Sequence, residues 1–398
     1  MKTMLNIANY EIRHICRDRV AFAIVFIAPL FFAFLMGSVY FSAAINKVPM
    51  GIVDLDNSLA SREVVDIFSS GPHFKTNPDV NTYKKLENAM RDGKVRGGIV
   101  IPEDFSTKLS KHQGTQILLV YDASNLIWGY NIRKYGYEGI DQFGRQYAAE
   151  YLEGMGMNSD QSDEVLNMVR CNTMVWYNPT WNYVNFLYMG VIFIILHQLG
   201  LLGVTLTIPR EKEANTWIHY LASPLERWQI VLGKCLPYLI VGFFNYALLL
   251  WFSHYFIHAR IEGSILLIIL LGMLYTAAIV FLGFFISLHV ENTLQISRYL
   301  ILLSIPIFMI SGYTWPQYRI PAVITIIARL SPFSWMAEAF RKVTVKNLGF
   351  PDIAVNVIGL VVMITIGIIL CFTFQKNRQP DADDKVRVNS GTEFPSRV

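Results

Sequence analysis

The stretch that decides the fold is Arg210–Lys234, reading REKEANTWIHYLASPLERWQIVLGK. It lies between two long apolar runs, roughly Tyr183–Ile208 and Cys235–Ile257. It opens on four consecutive charged residues, Arg210, Glu211, Lys212 and Glu213. It then turns amphipathic, with Trp217, Ile218, Leu221, Leu225, Trp228, Ile230, Val231 and Leu232 recurring at helix-like intervals. Pro224 follows Ser223 and divides this pattern into two short helices, because proline lacks the N–H that a helix interior needs. Such a segment is too polar to cross a bilayer and too apolar to stay fully in water. It reads as a socket at the membrane face that offers a short helix to a soluble partner.

Composition agrees. The 398 residues are 53% hydrophobic and only 16% charged, with mean hydropathy +0.36, which together with several unbroken apolar runs points to a polytopic membrane protein. The net charge of +4 is spread along the chain with no basic patch interleaved with aromatics, which argues against nucleic acid. Cys16, Cys171, Cys235 and Cys371 are far apart, and no Cys–His metal spacing occurs. In the topology argued below only Cys171 faces an oxidising compartment, so the outer domain folds without a disulfide of its own.

Outward from the socket the chain divides as follows. Residues 1–19 are amphipathic and basic, ending in Arg17-Asp18-Arg19, and fit an interfacial helix on the cytoplasmic leaflet. Glu11 and Asp18, and the length of the next apolar run, argue against a signal peptide. Residues 20–45 form the first span; Ser42-Ala43-Ala44 only faintly resembles a cleavage site.

Residues 46–182 are hydrophilic. Strands are expected at Met50–Leu55, Gly97–Ile101 and Gln116–Tyr121, with helices at Ser58–Ser69, Thr82–Arg91 and around Phe105–Leu109. This alternation predicts a small α/β lobe, followed by a helical stalk over Leu126–Val175. Asp54, Asp56, Asp122, His73 and His112 form no dense cluster, and the first two sit where aspartate caps or turns, so a structural role is favoured over a site. Trp176, Tyr177, Trp181 and Tyr183 mark re-entry into the membrane.

Residues 183–374 hold the second to sixth spans and the 210–234 loop. The fifth run, Tyr299–Gly312, is short and carries Pro306; Glu291–Arg298 before it reads as a polar turn. Residues 313–346 read as interfacial or re-entrant helices on the outer side, and residues 375–398 as a disordered cytoplasmic tail. Lys and Arg in the N-terminus, the socket and the C-terminal flank place all three in the cytoplasm and residues 46–182 outside. Arg319, Arg329, Arg341, Lys342 and Lys346 in the outer segment run against that rule.

No Asp, Glu, Lys or Arg stands near a span centre, which argues against an ion-coupled carrier. No nucleophile, paired-acid or His-Glu-x-x-His arrangement lies in a span, and Gly233-Lys234 lacks the rest of a phosphate-cradling loop. His197-Gln198 is the main polar interruption; pairing across a helix interface and lining a substrate path are equally open readings. Energy must then come from a separate subunit.

Here the residues carry a family likeness. Arg210-Glu211-Lys212-Glu213 through Thr216, then Leu221-Ala222-Ser223-Pro224, then Gly233-Lys234, resembles the cytoplasmic loop of type-2 permeases of ATP-binding-cassette exporters. It departs at Asn215, where the family usually has glycine. Arg17-Asp18-Arg19, Val53–Ser58, Ile101–Phe105, Asn178-Pro179, and Ser331-Pro332-Phe333 with Glu338 and Arg341 also match, in order, along nearly the whole chain. The likeness is to the subgroup with a large extracytoplasmic domain.

The resemblance implies a polytopic α-helical membrane protein of six transmembrane helices. It has an N-terminal interfacial helix and an α/β extracytoplasmic domain inserted between helices 1 and 2. The chain would be a half-transporter in the cell inner (cytoplasmic) membrane, paired with a second copy or a related permease. A separate ATPase subunit would carry the ATP and Mg, and this chain no cofactor. Arg210, Glu211, Lys212, Glu213, Thr216, Trp217, Leu221, Pro224, Gly233 and Lys234 would couple to that ATPase. Arg17, Asp18 and Arg19 would anchor the interfacial helix. His197, Gln198, Pro306 and Gly312 would line the path, since the second and fifth spans face the dimer interface in the family. The outer lobe would meet a periplasmic adaptor, itself joined to an outer-membrane channel, or the substrate. The cargo implied is amphipathic, lipidic or drug-like and moves outward. The alternative is a non-transporting envelope receptor or anchoring protein.

Overall fold

The computed structural model describes residues 2–41, 47–167, 174, 176–178 and 184–377, with the side chains of Tyr40, Phe41, Leu221 and residues 374–377 outside that description. The expectations for Ser42–Ala44, Cys171, Trp181, Tyr183 and the tail from 378 fall outside it as well. The chain divides into two units, residues 1–43 with 175–398, and residues 44–174.

In the first unit, among the described residues, six helices are long and apolar enough to cross a membrane: Arg19–Val39, Val184–Glu213, Arg227–Tyr255, Ile265–His289, Thr293–Ile310 and Phe350–Thr373. These are termed the first to sixth spans. The fourth span is central and packs on the second, third and sixth. Its Tyr275 lies in a core with Tyr188, Phe193, Tyr246, Phe333 and Phe340. Hydroxyl groups buried in apolar surroundings need acceptors. Those of Tyr188, Tyr246 and Tyr275 find the backbone carbonyls of Ala33, Ile268 and Phe193.

Three span ends differ from expectation, all at one end of the bundle. The second span continues through Pro209 to Glu213, and the third begins at Arg227, so Arg210–Glu213 and Lys234 sit inside helices rather than in a loop. The fifth begins at Thr293, capped by Asn292, whose side chain accepts from Leu294 N and Gln295 N. The expected polar turn Glu291–Arg298 is therefore mostly first helical turns, and Pro306 is carried inside the helix.

The first span carries a local irregularity with a clear cause. Pro29 has no N–H to give the carbonyl of Val25 four residues earlier. The helix widens over Ala23–Ile27, Ala28 N–H bonding to Ala23 O, and Asn245 Nδ2 of the third span donates to Val25 O at 2.7 Å. A carbonyl freed inside a bilayer is thus satisfied from a neighbouring helix. Replacing Asn245 by Leu should strand that carbonyl and cost about 1–3 kcal/mol, read as a lower thermal midpoint of the purified chain. Asn245→Leu combined with Pro29→Ala should recover most of the loss.

Residues 313–346 hold two helices, Ala322–Arg329 and Pro332–Thr344, meeting at 94°. The bend is fixed by Ser331, which caps the second helix with Pro332 in its first turn. Arg329 pairs with Glu338 at 2.7 Å, stacks over Trp335 at 4.3 Å, and its carbonyl accepts from Trp335 Nε1.

The second unit is a four-stranded sheet of order β2-β1-β3-β4, where β1 is Val48–Asp54, β2 Phe74–Asn77, β3 Gly97–Ile101 and β4 Leu118–Tyr121. β1 runs parallel to β2 and β3, and β4 antiparallel to β3. β3 is buried along its whole length, as a helix-covered central strand must be. Helices Leu59–Ser70, Tyr83–Arg91 and Phe105–Ser110 connect the strands, and Leu126–Gly154 and Ser159–Leu166 follow.

Asp54 accepts from Asp56 N, Asn57 N and Ser61 Oγ, and Asp56 accepts from Ser106 N and Oγ, so both acids are occupied in turns. Asp122 pairs with Arg96, while His73 stacks on Tyr135 and His112 meets the Tyr151 ring at a tilt. No metal-holding group of side chains exists among the described residues.

Candidate coupling site

Four consecutive residues on an α-helix point about 100° apart and so face all the way round it. Arg210–Glu213 close the second span, and each reaches a different neighbour. Arg210 Nη2 donates to Glu11 Oε1 of the entry helix Lys2–Arg17 at 2.9 Å. Glu211 Oε1 accepts from Lys234 Nζ of the third span at 2.5 Å. Lys212 Nζ donates to the carbonyls of Leu288 and Val290 at 2.9 and 2.7 Å, where the fourth span ends. Glu213 accepts from Thr293 N and Oγ1 at 2.8 and 3.0 Å, where the fifth begins. A cation on orphan C-terminal carbonyls and an anion on orphan N-terminal amides both suit the helix dipole.

At the centre Glu11, Arg210, Glu211 and Lys234 make a buried group with two charges of each sign. Lys234 is fully buried and Glu11 1% exposed. Lys234 also donates to Glu11 Oε2 at 3.2 Å, and Tyr238 Oη donates to Glu11 Oε1 at 3.0 Å. Burial alone would raise the Glu11 carboxyl. The charges of Lys234 and Arg210, with the hydrogen bonds from Tyr238 and Lys234, outweigh it and hold the group below the usual glutamate range. Gly233 lets the entry helix in: a Cβ there would meet Ile7 Cβ at 2.9 Å and Met4 O at 3.1 Å.

The helix ends after Glu213 in a left-handed residue. Asn215 has φ +55° and its N–H bonds to Lys212 O, while Thr216 N bonds to Glu211 O. This paired closure favours glycine and tolerates asparagine, so the departure from the family pattern keeps the same turn. Asn215→Gly should leave the thermal midpoint nearly unchanged, whereas Asn215→Val should lose about 1–2 kcal/mol by the left-handed penalty.

The short helix Trp217–Ala222 follows, ended by Ser223-Pro224. Trp217 and Tyr220 pack ring against ring at a tilt on its inner side, with the Tyr220 ring 4.8 Å from Lys234 Nζ. Ile218, His219, Ala222, Pro224 and Trp228 are exposed. One face of the short helix thus rests on the charge group and the other is free.

The other expected residues scatter. Arg17 and Arg19 are exposed, and Asp18 caps the helix start by accepting from Val20 N and Ala21 N. His197 is 2% exposed between the rings of Tyr275 and Phe333, with no hydrogen bond to Nδ1 among the described residues. Gln198 is half-buried, Pro306 exposed, and Gly312 sits in a turn at φ +82°. Phe333 bridges His197 to Phe308 of the fifth span, but Pro306 is not drawn into that contact. Glu11, Tyr238 and Thr293 were missed by sequence reasoning. For Glu11 a signal existed: it lies on the same helix stripe as Ile7, Ala8 and Ile15.

Comparison with known proteins bears on this arrangement. The chain is 24% identical over 358 residues to the "Probable multidrug ABC transporter permease YbhS" of Escherichia coli (strain K12), covering 88% of this chain and 90% of that one. It is 25% identical over 322 residues to the "Probable multidrug ABC transporter permease YbhR" of the same strain, covering 81% and 84%. To the "Linearmycin resistance permease protein LnrN" of Bacillus subtilis (strain 168) it is 22% identical over 372 residues, covering 89% and 94%. The ABC-2 family transporter protein model matches residues 19–373, from the first residue of the first span to the end of the sixth. With its apolar helices matched end to end, this multi-pass membrane protein belongs to the ABC-2 transporter family as a permease.

Proposed function

We propose that the chain is the membrane-spanning subunit of an exporter driven by a separate ATPase, which docks on the free face of Trp217–Ala222. The observation that carries this reading is the division of labour in Arg210–Trp228. Four charges bind four neighbouring helices, and the helix that follows leaves Ile218, His219 and Ala222 uncovered. A push on that helix passes through Tyr220 and Lys234 to the entry helix and the third span, and through Lys212 and Glu213 to the fourth and fifth. Arg210, Glu211, Lys212, Glu213, Thr216, Gly233 and Lys234 transmit; Trp217, Leu221 and Pro224 shape the docking helix. ATP and Mg belong to the partner.

In this reading the charge group faces the cytoplasm of an inner membrane and residues 46–182 lie outside. Arg329, Arg341 and Lys342, which run against the charge rule, have partners where they stand: Glu338 for Arg329 and Lys342, and the Tyr313 carbonyl for Arg341. The names of the relatives support a drug-like or amphipathic cargo. A second copy or a related permease covers the fifth span, where Ile301, Leu302 and Ile305 are exposed. A periplasmic adaptor with an outer-membrane channel would meet the α/β unit.

The test is reconstitution of the chain with its ATPase in vesicles and measurement of uptake of an amphipathic cationic dye. ATP-dependent uptake is expected with both proteins and none with either alone. Dye movement by the chain alone would sink the reading. His197→Leu should change the rate if the buried imidazole borders the path; an unchanged rate assigns it to packing.

A further inference from the structure

A cavity lies among the first four spans, away from the fifth. Its walls are Val25 and Pro29 of the first span, Leu196, Leu199, Gly200, Gly203 and Val204 of the second, four residues of the third including Tyr238 and Asn245, and Thr276, Ile279 and Val280 of the fourth. All these residues lie in helices apolar enough to cross a membrane. No Asp, Glu, Lys, Arg or His lines it. The amide of Asn245 is already engaged by Val25 O, and the hydroxyl of Tyr238 by Glu11, so the polar side chains here are largely committed elsewhere.

Two wall positions, Gly200 and Gly203, lack a side chain that would take up the space, whereas a Cβ at the third wall glycine, Gly242, would press on Thr276 Cγ2 at 2.7 Å. A Cβ at Gly200 would touch only Ile279, at 3.5 Å, and one at Gly203 would meet Val25 and Tyr238 at 3.4 and 3.6 Å, all ordinary contacts. The space is therefore not demanded by close helix packing at those two positions. Leu199, Gly200, Val241 and Gly242 keep some exposure, so the cavity is not sealed.

We infer that this cavity holds the end of a phospholipid acyl chain from the surrounding bilayer. Size decides between occupants. The free space is about 30 Å³, while one water needs roughly 10–15 Å³ on that scale. A drug-sized molecule needs pockets of about 300 Å³ or more, so it does not fit. An apolar cavity of this kind stays dry, and in a bilayer the neighbours able to fill it are hydrocarbon chains. The chain end rests on the ring of Tyr238, whose hydroxyl bonds Glu11. The site thus touches the charge group from within the membrane, independently of what the protein transports.

The experiment uses the full chain in vesicles of phosphatidylethanolamine and phosphatidylglycerol. These are doped with a phosphatidylethanolamine carrying a diazirine near the end of one acyl chain, or in a second arm with the same diazirine as a free fatty acid. After irradiation the labelled peptides are mapped by mass spectrometry. Label from the phospholipid is expected on Leu199, Val241 and Thr276, falling at least five-fold in Gly200→Leu and about two-fold in Gly200→Ala. Label on the exposed Phe31 and Ile358 should stay constant. Wild-type label confined to Phe31 and Ile358, equal cavity label in wild type and Gly200→Leu, or label only from the free acid would each overturn the proposal. Should Gly200→Leu fail to fold, the wild-type map and the Gly200→Ala ratio decide it.

Discussion

Lys234→Met should be the most damaging single substitution in the membrane part. It removes one cation from a buried group of two acids and two bases, leaving Glu11 and Glu211 to share Arg210. Breaking a buried pair from one side costs about 3–5 kcal/mol, because the stranded charge has neither water nor partner. For a protein of ordinary stability that is a large part of the total. The expected result is a steep loss of monodisperse protein in detergent and a lower thermal midpoint in whatever is recovered. Removing the stranded acid should repair much of this. Lys234→Met with Glu211→Leu restores neutrality, and the pair should couple by about 1–3 kcal/mol. Additive losses would mean that Lys234 acts by its size and not by its charge.

The same group sets a pH signature whose sign follows from Glu11. Its carboxyl titrates lower in the folded protein than in the unfolded chain, since Lys234 and Arg210 outweigh burial. Such a group adds stability above the unfolded value of about 4.3 and loses it as pH falls through the folded value. Glu11→Gln should therefore lower the thermal midpoint by a constant amount between about pH 5 and 8. The gap to wild type should close only below about pH 4, as wild-type Glu11 protonates. A gap that closed between pH 6 and 7 would assign the effect to another group.

Sequence reading reached the helical membrane class, the order of the spans and the short helix before Pro224, because these rest on local signals: long apolar runs, helical periodicity and a proline; the second short helix expected after Pro224 is instead the opening of the third span, Arg227–Tyr255. It also found three of the four strands. β2 escaped because Phe74–Asn77 holds a single apolar residue and owes its form to pairing with β1. The charge group escaped for a different reason. Four charges in a row announce polarity, and polarity alone predicts a loop at the membrane face. What reverses it are partners distant in sequence, Glu11, Lys234, Thr293 and the carbonyls of Leu288 and Val290. The 100° step along a helix already forbids all four charges from facing water when the helix ends inside a bundle. The glycine-to-asparagine departure at 215 became intelligible only once its φ of +55° was known.

The second large effect expected is on partner binding, and it separates the two faces of Trp217–Ala222. Ile218 is 40% exposed, Ala222 is also exposed, and neither belongs to the charge group. Ile218→Asp with Ala222→Asp places two charges on the free face, where a docked partner would have to desolvate them. Unpaired charges at the core of an interface cost several kcal/mol, and each 1.4 kcal/mol is a factor of ten in affinity. Co-purification of the ATPase should fall at least a hundred-fold, and stimulated ATP hydrolysis with it. The thermal midpoint of the chain should stay within about 1 °C, because surface changes away from packed features usually shift stability by under 0.5 kcal/mol. Trp217→Ala, on the inner face, should give the opposite pattern, lowering the midpoint first and binding only as the short helix loosens. If the double aspartate variant still retains the ATPase in normal amount, the free face is not where the engine docks. The charge group would then serve the bundle alone.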